Sequence, residues 1–145
     1  MDEKTGHIVV LITTSSMAEA QVIGRALVEG RVAACVNIVP GLRSLFRWQG
    51  AIEEQEETLM LVKSRGEYLP SILETVKRLH SYTVPEVIAL PILAGSSDYL
   101  AWIRGGARRR PHRGPSRPER GGTASRPRGG GEHRVDRRGR LRDGG

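Results

Sequence analysis

The sequence predicts an α+β domain with two helices set among four strands and a short helix closing the chain. Three observations carry that expectation. The runs "HIVVLI" and "PEVIALPIL" are short, apolar, rich in β-branched residues and bounded by turn-formers, as buried strands are. The stretches "SMAEAQVIGRALVEG" and "EYLPSILETVKRLH" repeat their apolar residues at helical spacing. Between those helices lie two extended runs with no helical period, flanking Gln49-Gly50.

Taken in order, the Ile8–Ile12 run reads as a strand covered on both faces. Ser16 with Glu19 three residues on makes a capping box, Ala20, Ile23 and Leu27 form one helical stripe, and Gly30 is the expected stop. Gln49-Gly50 is the turn of a hairpin. A two-residue loop there puts Arg43 opposite Glu56, an expected cross-strand ion pair. Pro40-Gly41 interrupts the first arm, and because proline cannot donate to a ladder, a bulge is expected there. Leu69, Ile72, Leu73, Val76 and Leu79 build the second helical stripe, with Pro70 tolerated in its first turn. A second buried strand over "PEVIALPIL" ends at "AGSS", and "SSDYLAWI" begins a helix stopped by Gly105-Gly106. The order βαββαβ plus a terminal helix is that of a ferredoxin-like sandwich.

The hairpin is longer than such a sandwich needs. Ala34–Trp48 is 15 residues, so at about 3.3 Å each it reaches roughly 50 Å. A domain of this size has a radius of gyration near ~13 Å, or roughly 35 Å across. The hairpin should therefore overhang its own core, carrying Leu45, Phe46, Trp48 and Ile52 near its tip. Those residues are poorly placed in water, and a homo-oligomer formed by strand addition at the open edges is expected.

Charge divides the chain. Residues 1–103 hold 9 Lys+Arg against 12 Asp+Glu, whereas residues 104–145 hold 14 Arg and 4 acids. Apolar side chains in that second part are limited to Ala107, Ala124, Val135 and Leu141, too few to offset the entropy of ordering it. The expectation is one domain over 6–103 and a disordered Arg/Gly/Pro-rich tail over 104–145. Arg, Gly and Pro have GC-rich codons, so this composition fits a shifted reading frame in GC-rich DNA, or an added extension. Such a tail would touch nucleic acid only nonspecifically, through phosphate charge, since it carries no aromatic residue for stacking. Cys35 is the single cysteine, which excludes an intrachain disulfide or a thiolate zinc cluster. No apolar run reaches the roughly 20 residues of a membrane span and none reads as a signal peptide, so no membrane contact and a cytoplasmic location are expected.

The segments "ALVEGRVAACVNIVPGLRSLFRWQGAIEEQEE", "LMLVKS", "LHSYTVPEVIALPI" and "DYLAWI" together resemble the CutA family of divalent-cation tolerance proteins. The resemblance covers about residues 8–104. It implies a ferredoxin-like subunit, a tight homotrimer with hairpins pairing between subunits, copper binding, a role in tolerance of metal ions, and no enzyme activity. Two departures stand out. The family's His-Pro-Tyr is His80-Ser81-Tyr82 here, and the family's copper ligands, a first-strand Cys and paired His, correspond to Ile12, Leu79 and His80.

The candidate site residues follow. His80 and Glu86 are the expected metal ligands, imidazole with carboxylate suiting copper(II) or another divalent cation better than magnesium. His80 also ends a helix, where its charge complements the dipole. By the resemblance, Trp48, Lys63, Tyr82 and Glu86 gather at a cleft between subunits, able either to satisfy one another or to hold a small anionic ligand. Cys35, amid Ala33, Ala34 and Val36, reads as a buried inert thiol near that interface. "EEQEE", Glu53–Glu57, reads as a solvated face that attracts cations loosely. No catalytic residue or organic cofactor is expected. The expected function is a homotrimeric, copper-binding protein of metal-ion tolerance, with a noncatalytic trimeric scaffold or small-ligand sensor as the alternative.

Overall fold

The computed structural model describes residues 5–108. Strand β1 (His7–Thr14) leads into helix α1 (Met17–Glu29), followed by β2 (Cys35–Trp48) and β3 (Ala51–Arg65). A 3₁₀ turn, Gly66–Tyr68, opens helix α2 (Leu69–Leu79), and β4 (Val87–Pro91) and α3 (Ser97–Gly106) complete the fold. The sheet order is β2-β3-β1-β4, every pairing antiparallel, which is the predicted ferredoxin-like topology.

One face of the sheet carries the core. Ile8, Val10 and Ile12 of β1 with Met60 and Val62 of β3 pack under Ala20, Ile23 and Leu27 of α1 and Ile72 and Val76 of α2. The α1 stripe is fully buried, as predicted. On α2 the stripe is narrower than predicted, because Leu73 turns outward and is 44% exposed. Nor does the chain cover both faces of its strands. Val9 and Leu11 on the second face are half-buried, and on edge strand β4 Ile88 and Leu90 stand exposed. The apolar runs are therefore strands, but part of their second face stays open within one chain.

Local signals decided the hairpin. Gln49 and Gly50 both take positive φ, 49° and 79°, the mirror-image turn that matches strand twist and for which glycine carries no Cβ penalty. Arg43 lies opposite Glu56, and the register shifts between Val39 and Leu42, at Pro40-Gly41. The ion pair expected of Arg43 forms diagonally instead, to Glu54 at 3.7 Å. Strand β1 pairs with β3 only over Thr58–Arg65. The seven residues Ala51–Glu57 thus have β2 alone as a sheet neighbour, and the six exposed ones, Ala51–Glu56, overhang the core by about 20 Å.

Helix ends differ from the simplest reading. Ser16 Oγ accepts from the Glu19 amide at 3.1 Å, but the Glu19 carboxylate accepts from the Ser15 amide rather than returning to Ser16. Beyond α1, the left-handed conformation falls on Arg31, φ 57°, and not on Gly30. Helix α3 runs through Gly105 and Gly106, and Ala107 is buried. The folded part therefore extends past the boundary expected at 103, while the expected tail from 109 onward lies outside the described residues. Gly106 presses on Ala34 so closely that a Cβ there would sit 2.8 Å from Ala34 Cβ.

Candidate functional site

The loop after α2 is a polar knot. His80 caps α2 with extended backbone, which swings its ring under the end of β1. Its Nε2 lies 2.7 Å from Thr13 O, and its Nδ1 lies 3.0 Å from the Tyr82 amide. A main-chain N–H can only donate and a carbonyl can only accept, so this geometry assigns the proton to Nε2 and leaves Nδ1 as the acceptor. The Tyr82 ring leans against the imidazole, centroids 4.7 Å apart.

Two carboxylates hold the knot in place. Glu19 Oε1 is 3.7 Å from His80 Nε2, and Glu19 Oε2 accepts from the Ser81 amide at 3.1 Å. Partial burial would raise the Glu19 carboxyl; hydrogen bonds from Ser81 and Ser15, with the nearby His80, outweigh it and hold the carboxyl below its ordinary value. Tyr82 Oη donates to Glu57 Oε2 at 3.1 Å. Burial, that hydrogen bond and the charges of Glu57 and Glu19 push the phenol up. Sequence reasoning missed this part. Glu19 is accounted for in sequence as a cap, and Glu57, only 8% exposed, belongs to a run read as a solvated face. The available signal was the end of that run, where β3 regains β1 as a neighbour.

The expected metal pair does not assemble. Glu86 is exposed just ahead of β4, and the carboxylate facing His80 is Glu19. Both His80 nitrogens are engaged by main chain, so ligation would break one of those bonds. Among the described residues no group of three or more His, Cys, Asp and Glu is arranged to hold a metal ion. Ile12 is fully buried and Leu79 packs against the core, so neither supplies a donor. His7 lies at the far end of β1 from Thr13. The residues present do not fit a copper centre built on His80 and Glu86.

The cleft set is also dispersed within one chain. Trp48 is at the hairpin tip, 60% exposed. Lys63 is twelve residues along β3 from Ala51, the partner of Trp48, about 40 Å away. Lys63 lies opposite Cys35, and its Nζ contacts Asn37 Oδ1. Cys35 is buried, its Sγ 3.9 Å from the same Asn37 oxygen. Tyr82 faces Glu57, six residues nearer the tip. Trp48 can meet the other members only if the chains come from different subunits.

The chain matches the family model described as CutA1 divalent ion tolerance protein over residues 8–105. It is 56% identical over 96 residues to the divalent-cation tolerance protein CutA of Thermus thermophilus, covering 66% of this chain and 93% of that one. To human protein CutA it is 43% identical over 93 residues, covering 64% of this chain and 52% of the human one, so it spans about half the human protein. The solved Thermus thermophilus structure superposes with a TM-score of 0.69 at 53% identity, covering 70% of this chain and 99% of that one. CutA1 from Oryza sativa superposes with a TM-score of 0.69 at 39% identity, covering 70% and 94%.

Proposed function

The chain belongs to the CutA1 divalent ion tolerance family, and from that premise we propose that it serves divalent-cation tolerance as a noncatalytic, cytoplasmic homotrimer. The observation that carries the assembly is the overhang. Residues Ala51–Glu57 have no β1 partner, and Leu45, Trp48 and Ile52 at the tip are 67%, 60% and 61% exposed. Val39, Ile88 and Leu90 add exposed apolar surface on the sheet. Covering such area by another copy is worth about 25 cal/mol per Å², and β2 and β4 offer edges for pairing.

The cation, copper(II) or another divalent ion, is not assigned to a His80–Glu86 centre, because the ring is already bonded on both sides. Loose attraction falls to the exposed carboxylates Glu53, Glu54 and Glu56 on the overhang. Sedimentation equilibrium of the full chain at low micromolar concentration tests the reading. A trimer is expected, and W48E with I52E should yield smaller species. A well-folded monomer of the unaltered chain would overturn it.

One observation favours the second reading, a small-anion cleft. Among the described residues the Lys63 ammonium has no ion pair; it contacts the neutral Asn37 amide oxygen. An anion in an intersubunit cleft would complete it. In that case small anions raise the melting temperature, and K63A abolishes the rise.

A further inference from the structure

We propose that His7 is held as an imidazolium and acts as a pH-dependent latch fastening helix α3 to the sheet. His7 opens β1 and is 3% exposed. Its Nδ1 lies 2.7 Å from Thr5 O and its Nε2 lies 2.8 Å from Leu100 O. Both partners are main-chain carbonyls, which only accept. A neutral imidazole has one N–H, so it can serve one carbonyl and must turn a lone pair on the other. The doubly protonated ring serves both, at lengths typical of charge-assisted bonds. A flipped ring would present carbon to both carbonyls and lose both bonds.

The contrast with His80 makes the point. There one ring nitrogen meets a carbonyl and the other meets an N–H, an arrangement that a neutral ring satisfies completely. At His7 the carbonyls demand two protons. At this end of the neighbouring elements the titratable and charged groups are Arg65 of β3, opposite in register and bound to Glu67 at 2.9 Å, with Lys63 two residues along, and the exposed Asp98, Tyr99 and Arg104 of α3. The four Glu of β3 lie toward its other end. Strand β4 carries no titratable side chain. Among the described residues no carboxylate pairs with the ring, and the polar contacts of its two nitrogens are the two carbonyls.

The Nε2 bond spans 93 residues and joins the first residue of β1 to the middle of α3. Around it, Thr5 Oγ1 donates to Ile92 O at 2.5 Å, and the Ile92 amide donates to His7 O at 2.9 Å. Helix α3 in turn buries Ile103 and Ala107 and lays Gly106 on Ala34, next to the buried Cys35. Loss of either ring proton as pH rises replaces one hydrogen bond by lone-pair repulsion. The latch then weakens, and α3 is freed to lift from Ala34 and Cys35.

The test follows imidazole ¹⁵N and α3 amide resonances of the ¹⁵N-labelled full chain from about pH 5 to about pH 9, the range in which histidine charge changes. Both His7 nitrogens should show N–H character at the acid end. One should lose it as pH rises, with the amides of Leu100–Arg104 shifting at the same midpoint. In H7Q that shared titration should vanish from α3. A ring that stays neutral in one tautomer throughout, or α3 amides that ignore the ring, would overturn the proposal. The unaltered chain decides the matter even if H7Q fails to fold.

Discussion

Tyr82 donates its phenol to Glu57 across 25 residues of sequence, at 3.1 Å, tying the loop after α2 to the base of the overhanging hairpin. Because Glu57 is 8% exposed, removing its donor leaves a buried carboxylate short of a partner. Y82F should therefore destabilise the fold by about 1–3 kcal/mol, the cost of leaving a buried acceptor unsatisfied. Urea denaturation checks this. A midpoint equal to the unaltered chain's would show that water replaces the phenol without loss.

Glu19 gives a pH signature of definite sign. Its carboxyl is held below the ordinary 4.5, so the folded state prefers the ionised form. The resulting stability is complete above that ordinary value and is lost as pH falls through the lower folded-state value. E19Q should lower the denaturation midpoint at neutral pH and have little effect at the acid end, where the two curves converge. A constant gap between the curves at every pH would assign the loss to shape and not to charge.

How much of this was legible in sequence depended on the range of the interaction. The Gln49-Gly50 turn, the bulge at Pro40-Gly41 and the Arg43–Glu56 register are set by residues near one another in the chain, and all were predicted. Leu73 exposure, the open face of β4 and the burial of Glu57 depend on what packs from elsewhere, and alternation alone does not report it. The surroundings of the candidate site show the same limit of range. His80 and Glu86 look like a ligand pair at six residues' spacing, yet the ring is claimed by Thr13 from β1, 67 residues away.

Copper calorimetry separates the ring from any cation binding. With both His80 nitrogens bonded to main chain, H80A should bind copper(II) with the heat of the unaltered chain. It should nevertheless lose about 2–4 kcal/mol of stability, because a buried side chain and two of its hydrogen bonds are removed. Loss of the copper heat at intact fold would show that the ring leaves Thr13 and Tyr82 to ligate the ion.

Two adjacent glycines in α3 should respond in opposite directions to the same substitution. Replacing a helical glycine by alanine gains up to about 1 kcal/mol from backbone entropy. At Gly105 nothing lies within 4 Å of an added Cβ, so G105A should keep that gain and raise the melting temperature by a few degrees. At Gly106 the added carbon would sit 2.8 Å from Ala34 Cβ and 3.0 Å from Ala34 Cα. The second contact is backbone, which cannot rotate away, and overpacking of this kind costs about 1–3 kcal/mol. The clash outweighs the entropy, and G106A should melt lower than the unaltered chain. Thermal unfolding of the two variants side by side checks the packing of α3 on Ala34: equal stabilisation by both would mean that the helix does not lie against that residue.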